Sequence, residues 1–573
     1  MLKTSAFQHN SVGKTEMESL FHVFSSSSPS SDSSFRAFPY EHPTTVHLLT
    51  LLSLLYLLIA VATVADRFIY GGIIAQISLG MIYGSPLANI LPVEWEATFS
   101  ALGFIGLIGI VFEGGLGTDP AVLFSNLILS TVAASVGVIL PIALSMGLFY
   151  GAFGYTPLAG FAAGVALSTT SLGTTLMTLT SLNKSQNDAR ASREILREKT
   201  MESTVTIAPP LIDFENFRSS RIVTVLIGTA MIDDVIGLVL ASLIPALAIQ
   251  QAATEGGSNS NMTWTIIRPL LSSFLLSVIT PIVARFVLRP LYRRAVSSKH
   301  VSRRKVPFPT PDHMKLCIMI LFVYAFIGIA YYTGSSLLFG AYLAGITVAY
   351  MGRTDSEDSS DAEPKSATFE EVFKKLVGPV QHSLLVPLFF ASIGHAIPFT
   401  SLWRPAIMWK GVLYAILMTV GKVATGIPVT CYSILFSGGR KPKSPAPALE
   451  PEVQIEEGEP SSSTVEDRGR VSFSRSPTKV EQPPSHPEVL PRSPFRASLY
   501  PAFFMGTAMV ARGEIGLLIA QIGRGSSTVH GLLNDDAYLL CIWAILLCTL
   551  VGPITAGWML NRYGPKINQG IWS

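Results

Sequence analysis

The amino-acid sequence predicts an all-α membrane protein of about thirteen membrane-spanning helices. Three observations carry that expectation. Of the 573 residues, 49% are apolar and only 14% charged, and the mean hydropathy is +0.45, whereas an ordinary soluble domain is about one quarter charged. The apolar residues fall in runs near the roughly 20 residues needed to cross about 30 Å of hydrocarbon. The charges collect between those runs.

The predicted spans are 46–64, 69–91, 98–117, 125–149, 156–181, 221–249 and 265–288, followed by 315–333, 335–351, 376–398, 407–436, 498–523 and 537–560. The connection 289–314 carries Arg289, Arg293, Arg294, Lys299, Arg303, Arg304 and Lys305, and the connection 182–220 adds Lys184, Arg190, Arg193, Arg197, Lys199 and Arg218. The positive-inside rule places both in the cytoplasm. The alternate connections 150–155 and 250–264 have Lys or Arg nowhere. An odd number of spans then puts the amino end outside or lumenal and the carboxyl end in the cytoplasm, with plasma membrane and endomembrane both open. Asn261-Met262-Thr263 is a glycosylation sequon on the side this topology calls external.

The transmembrane domain is expected over 46–436 and 497–560. Residues 1–45 are polar and Ser-rich, without the basic, apolar and small-residue succession of a signal peptide, so the first span is expected to direct insertion. Residues 182–220 form a cytoplasmic insertion and 561–573 a cytoplasmic tail. The stretches 352–372 and 437–496, rich in Ser, Pro, Glu and Lys, are not expected to fold alone. Ser476 and Ser493, each followed by Pro, make the longer one a candidate for phosphorylation. A tolerated linker is the plainer account, because long surface insertions cost little.

Several function classes fall away. A net charge of +3 is too small to suggest nucleic acid. No Gly-rich phosphate loop or dinucleotide fingerprint occurs in a soluble segment, which argues against an ATP-driven pump and against an attached nucleotide-sensing domain, and no cofactor is expected. Cys317, Cys431, Cys541 and Cys548 all lie in apolar runs without zinc or disulfide spacing and read as packing residues. An intramembrane hydrolase is disfavoured because the acids described next are adjacent on one helix and lack a facing catalytic partner.

The informative residues are the ionisable ones inside spans, each of which costs at least about 2.5–3.5 kcal/mol at the bilayer centre. The sixth span, IVTVLIGTAMIDDVIGLVLASLIPAL, holds Asp233 and Asp234 in mid-run. Neighbouring side chains on a helix point about 100° apart, so one carboxylate can meet a structural partner while the other lines a water-filled cavity. Two nearby carboxylates in low dielectric resist joint ionisation. A group that holds either a proton or a metal cation, and not both, meets the chemical requirement of an exchanger. A compensating base is available at Lys422, in AILMTVGKVATGIPV, too deep to snorkel. A purely structural role in holding helices together remains open for it.

The twelfth span carries Arg512 and Glu514 within GTAMVARGEIGLLIAQIG. Residues two apart do not face each other on a regular helix, so these charges have partners elsewhere or sit at a break, which Gly506 and Gly513 would permit. The fifth span holds Ser168, Thr169, Thr170, Ser171, Gly173, Thr174 and Thr175 in near succession. Hydroxyls and flexible backbone suit an interrupted helix able to meet a small cation; close helix packing by small residues is the alternative. Glu113, in GIVFEGGLGTD, is a further candidate, or else a solvated helix end near the cytoplasmic boundary.

At GTAMIDDVIGL, at the helix around Lys422, at SLLVPLFFASIGHAI (383–397) and at MVARGEIGLLIA, the sequence resembles the monovalent cation:proton antiporter superfamily, in its sodium/hydrogen exchanger branch with paired aspartates. The resemblance covers roughly 50–560 apart from the polar insertions, whose composition suggests a eukaryotic source. It implies two inverted six-helix repeats joined by a linker helix at 265–288, a dimerisation domain and a moving core in a homodimer, and crossing of the interrupted fifth and twelfth spans beside the aspartates. It further implies that Asp234 carries cation and proton, with Asp233, Thr169, Thr170 and Ser171 at the site, and that Asp233 pairs with Lys422 when the site is empty. Arg512 and Glu514 would balance the half-helix ends. The implied activity is electrogenic exchange of sodium, or lithium, for protons in pH homeostasis. A potassium/proton exchanger of the same fold is the first rival, and a cation channel or a membrane sensor the second.

Overall fold

The computed structural model describes residues 42, 44–69, 71–118, 125–171, 220–255, 262–297, 311–357, 367–437, 494–526, 529–567 and 572. The polar segments 1–41, 182–219 and 438–493, the second half of the fifth span and Asn261 of the sequon lie outside the described residues.

The first helices are α1 (Thr45–Ile69), α2 (Gly72–Tyr83), α3 (Val93–Leu116) and α4 (Leu127–Met146), the last running on as a π-helical turn, Gly147–Ala152. Then come α5 (Pro157–Ser168), α6 (Arg221–Ala241), α7 (Leu243–Glu255), and α8 (Met262–Val283), which passes through a second π-helical turn, Ala284–Leu288, into α9 (Arg289–Ser297). The second half holds α10 (Pro311–Thr333), α11 (Leu337–Glu357), α12 (Phe369–Leu376) and α13 (Val386–His395), preceded by a third π-helical turn, Gln381–Leu385. It closes with α14 (Pro405–Val423), α15 (Ile427–Ser437), α16 (Pro494–Ala508), α17 (Glu514–Arg524) and α18 (Asp535–Ile567). A two-residue antiparallel pair, Gly525–Ser526 with Val529–His530, is the only departure from all-α structure among the described residues.

Every predicted span overlies one of these helices or a pair of them. By length and hydropathy alone 8 helices among the described residues could cross a membrane, or 9 if the bent pair Phe369–Leu376 and Gly378–His395 is one span. Gly72–Tyr83, Pro157–Ser168 and Leu337–Gly352 are shorter, so this measure gives fewer than the predicted thirteen.

Four expectations need correcting. The predicted irregular stretch 352–372 is shorter, because α11 runs on to Glu357 and α12 begins at a capping box in which Thr368 and Glu371 satisfy each other's backbone N–H. The basic connection 289–314 begins as helix, as α9 extends α8, and Arg289 there donates to the Tyr350 hydroxyl (3.4 Å). Within the stretch 561–573, α18 continues to Ile567, and Trp572 is 2% exposed, its indole N–H donating to Ser433 Oγ (2.9 Å). Of the cysteines, Cys541 and Cys548 are buried, whereas Cys317 and Cys431 lie on the exterior.

The helices pack as two bundles. In one, here the scaffold, α3 lies against α11 and α13, α2 against α13, and α10 against α11. In the other, the site bundle, α4 lies against α5, α6 and α14, α18 against α14 and α16, and α5 against α17. The bundles meet where α6 touches α8 and α11 and where α17 touches α13. At that last contact Arg524, at the end of α17, donates to the Ala396 carbonyl (2.6 Å) while pairing with Asp535 (2.9 Å). Large apolar residues point outward, among them Tyr56 at 74%, Phe68 at 79% and Tyr324 at 74% exposure, as befits a surface solvated by acyl chains.

Between such helices there is no hydrophobic drive to associate, and close packing through small residues takes its place. The α2–α13 crossing shows this reciprocally: a Cβ on Gly80 would stand 2.2 Å from the Ala391 carbonyl oxygen, and one on Gly394 would stand 2.2 Å from that of Ile77. Gly394→Ala is therefore expected to destabilise the protein by the roughly 1–3 kcal/mol of overpacking. Gly147→Ala, where nothing lies within 4 Å, is the matched control and should leave thermal unfolding in detergent unchanged.

Candidate functional site

The site forms where two broken helices cross. α5 ends at Ser168, and Thr169, with φ −68° and ψ 149°, carries the chain out of helical geometry. α16 ends at Ala508, and residues 511–513 are non-helical before Glu514 opens α17. The two breaks bind each other through backbone, Ser171 N–H donating to the Ala511 carbonyl (2.9 Å). Bare backbone permits the approach: a Cβ on Gly513 would stand 2.6 Å from that of Ser171. The break expected from Arg512 and Glu514 two residues apart is thus where the structure places it. Gly173, Thr174 and Thr175, expected on the far side of the α5 break, lie outside the described residues.

Arg512 is completely buried. Its Nη1 donates to the carbonyls of Thr169 (2.8 Å) and Met509 (3.3 Å), the residues that directly follow α5 and α16. Helix C-termini carry partial negative charge, so one guanidinium neutralises two of them at once. Its own carbonyl accepts from Thr549 Oγ1 of α18 (2.8 Å). Glu514 sits at the opposite pole, in the first turn of α17, where the helix dipole favours an anion.

The two aspartates of α6 have different surroundings. Asp233 is fully buried, and its Oδ2 accepts from Lys422 Nζ at 2.8 Å, with both side chains 0% exposed. Thr170 completes a triangle: its hydroxyl accepts from Lys422 (3.0 Å) and donates to Asp233 Oδ2 (2.6 Å). Asp234, one residue on, is half-buried and makes no such pair. It lies within the electrostatic reach of Asp233, Glu514 and Lys422, and of Tyr342 on α11, which places it at the seam between the bundles. Asp233 Oδ1, Asp234 Oδ1 and Thr229 Oγ1 are buried atoms that meet no hydrogen-bond partner among the described residues.

Of the residues singled out in the sequence, Asp233, Asp234, Thr169, Thr170, Ser171, Lys422, Arg512 and Glu514 all come to this crossing. Glu113 does not join them. It lies on the scaffold, 20% exposed, and accepts from Gln381 Nε2 (2.9 Å) with His382 Nε2 at 3.3 Å, so it is a partnered group and not a solvated helix end. Two contributors escaped the sequence reading. Gly137 of α4 faces the pair: a Cβ there would stand 3.4 Å from Lys422 Nζ and 2.8 Å from the Thr425 methyl. Thr229 lies one turn before Asp233, and that spacing was a usable signal.

Comparison with known proteins gives a consistent picture. The family model for transmembrane sodium/hydrogen exchangers matches residues 53–191 and 200–455, a span that includes Asp233, Asp234 and Lys422 but ends before Arg512 and Glu514. The "Probable Na(+)/H(+) antiporter GerT" of Bacillus cereus is 24% identical over 352 residues, 60% of this chain and 71% of that protein. The "Na(+)/H(+)-K(+) antiporter GerN" of the same organism is 22% identical over 497 residues, 86% of this chain and 88% of its own length. Among solved structures, the sodium proton antiporter MjNhaP1 from Methanocaldococcus jannaschii at pH 8 has a TM-score of 0.49 at 12% identity, covering 92% of this chain and 100% of that one.

Removing one partner of a buried ion pair strands the other charge, at a cost of about 3–5 kcal/mol. Lys422→Met is therefore expected to lower thermal stability by roughly that amount. The double variant Asp233→Asn/Lys422→Met should recover most of the loss, as measured by unfolding in detergent.

Proposed function

Because the chain belongs to the sodium/hydrogen exchanger family, whose members are multi-pass membrane transporters of monovalent cations and protons, we propose that it exchanges sodium for protons with Asp234 as the carrier group. The observation that carries this reading is the asymmetry of the two aspartates. Asp233 is sealed in with Lys422 and Thr170, whereas Asp234 is half-buried with an unsatisfied oxygen at the seam between two bundles. A carboxylate so placed binds a proton or a sodium ion, and the occupancy of one excludes the other. No covalent step is involved, and the chain acts as a transporter and not as an enzyme.

The cycle proceeds as a competition for charge. With Asp234 protonated, Lys422 and Asp233 neutralise each other. When Asp234 loses its proton and takes a cation, the local balance shifts and weakens the hold of Asp233 on the ammonium proton. Release of that second proton makes exchange electrogenic. Thr170 touches both partners and keeps their geometry during the change, while Thr169 and Ser171, anchored through Arg512 and Ala511, hold the broken backbone beside the carrier. The site bundle moves against the scaffold to expose Asp234 to the two sides in turn, with the amino end outside or lumenal and the carboxyl end cytoplasmic. The scaffold is the surface on which two copies pair. Lithium, with the same charge and a small radius, is the second cation of this reading. Potassium has a specific claim of its own, since one relative's name includes it.

In proteoliposomes carrying a pH gradient, sodium is expected to dissipate the gradient, lithium to do so as well, and Asp234→Asn to abolish the response. Full exchange by Asp234→Asn would remove the carrier assignment, and a response to potassium without sodium would reassign the cation. Lys422→Ala is expected to retain exchange while losing most of its dependence on membrane potential; an unchanged dependence would remove the lysine from the coupling.

A further inference from the structure

The carboxyl-terminal half of α18 carries an arrangement that cation exchange does not use. Val551, Ile554 and Trp558 turn outward, 39, 45 and 60% exposed, and the same helical stripe reaches Arg562, which is also exposed. In a membrane protein such a stripe faces acyl chains, and a tryptophan near its end marks the headgroup level. Beside it runs α16, whose Leu499 and Phe503 are 45 and 50% exposed, so that the two packed helices frame a shallow apolar groove.

At the head of the groove, aromatic rings and cations gather. Lys566 Nζ stands 5.2 Å from the Tyr500 ring centre and 5.4 Å from that of Tyr563, and the Arg562 guanidinium stands 5.8 Å from Tyr563. The two tyrosine rings are 5.2 Å apart, and Trp558 lies 5.8 Å from Tyr563. Arg562 and Lys566 are one helical turn apart and so share a face.

Among the described residues no carboxylate pairs with either cation. The sequence has no Asp or Glu from Ala537 to Ser573, nor between Pro494 and Gly513. Asp535 and Asp536 lie at the other end of α18, roughly 40 Å away at 1.5 Å per residue. Two cations one turn apart, without a carboxylate partner among the described residues and set above a lipid-facing groove, complement a phosphate that carries two acyl chains.

We propose that this groove holds an anionic phospholipid, its phosphate between Arg562 and Lys566 and its chains along Leu499, Phe503, Ile554 and Trp558. A zwitterionic lipid offers the same phosphate, but its ammonium meets the same two cations. Inorganic phosphate offers the charge without the apolar contact. The position has a consequence for the proposed exchange, on which this last step rests. α16 leads into the break that bears Arg512, and α18 holds the Arg512 carbonyl through Thr549, so the bound lipid touches the outer side of the elements that shape the crossing.

The test uses the full chain in detergent without any ion gradient, which separates it from the fate of the exchange proposal. Phosphatidylglycerol, phosphatidylcholine and inorganic phosphate are added in parallel, and retention is read by intact-protein mass spectrometry together with the unfolding temperature. Phosphatidylglycerol is expected to be retained and to raise the unfolding temperature, the other two to do neither. Arg562→Gln/Lys566→Gln should bind it about thirtyfold more weakly, while Arg562→Lys/Lys566→Arg keeps the affinity. Equal retention of phosphatidylcholine, an equal effect of inorganic phosphate, or undiminished binding by the glutamine pair overturns the proposal. Should the glutamine pair fail to fold, the comparison of the two lipids on the unaltered chain decides by itself.

Discussion

The Lys422 ammonium and the Asp233 carboxylate lie 2.8 Å apart with neither side chain exposed. Either charge alone would cost several kcal/mol in such surroundings even after relaxation, so each requires the other. That requirement ties α14 to α6. Thr170, which hydrogen-bonds to both members, ties α5 to the same point, and the Met509 carbonyl beside the Thr170 hydroxyl (3.3 Å) brings in the end of α16. Four helices are thus positioned by one ion pair. Asp234, one residue on, is held in place by this construction without being a member of the pair.

Breaking two helices in a membrane frees backbone groups that water cannot satisfy. Here the freed groups satisfy one another or are met by a charge. Ser171 N–H finds the Ala511 carbonyl, and the guanidinium of Arg512 collects the terminal carbonyls of both half-helices. Glu514 lies at the start of α17 and Arg512 at the ends of α5 and α16, so each charge stands at the dipole pole of opposite sign. The Arg-Gly-Glu order across the break reads as electrostatics: cation where helices end, spacer, anion where the next one starts.

The burial cost of Asp233, Asp234 and Lys422 made them conspicuous in an apolar sequence, and opposed charges two residues apart marked the α16–α17 break. Helix ends were harder. The Thr368-Phe-Glu-Glu371 capping signature lay in plain view, yet the polar composition of 352–372 hid it. Trp572 had only its hydrophobicity to suggest that it packs against Ser433. Which hydroxyl of the run at 168–171 meets the ion pair depends on how the α5 break turns, and no local pattern encodes that. The partners of Glu113 are 268 residues away in sequence, and Gly137 contributes only the absence of a side chain. Contacts of this kind are set by tertiary approach and leave no periodic trace.

The Arg524–Ala396 hydrogen bond joins the site bundle to the scaffold at one end of the molecule. A bond of this kind tolerates only a few tenths of an ångström of stretch, so any sliding of one bundle past the other parts it. It acts as a latch between the two bundles at the end where α17 terminates. Asp535, which shares the guanidinium, keeps Arg524 paired when the latch lets go. The cost of opening is then that of one hydrogen bond and not that of an exposed, unpaired charge, which gives a fastening that is specific yet quickly reversible.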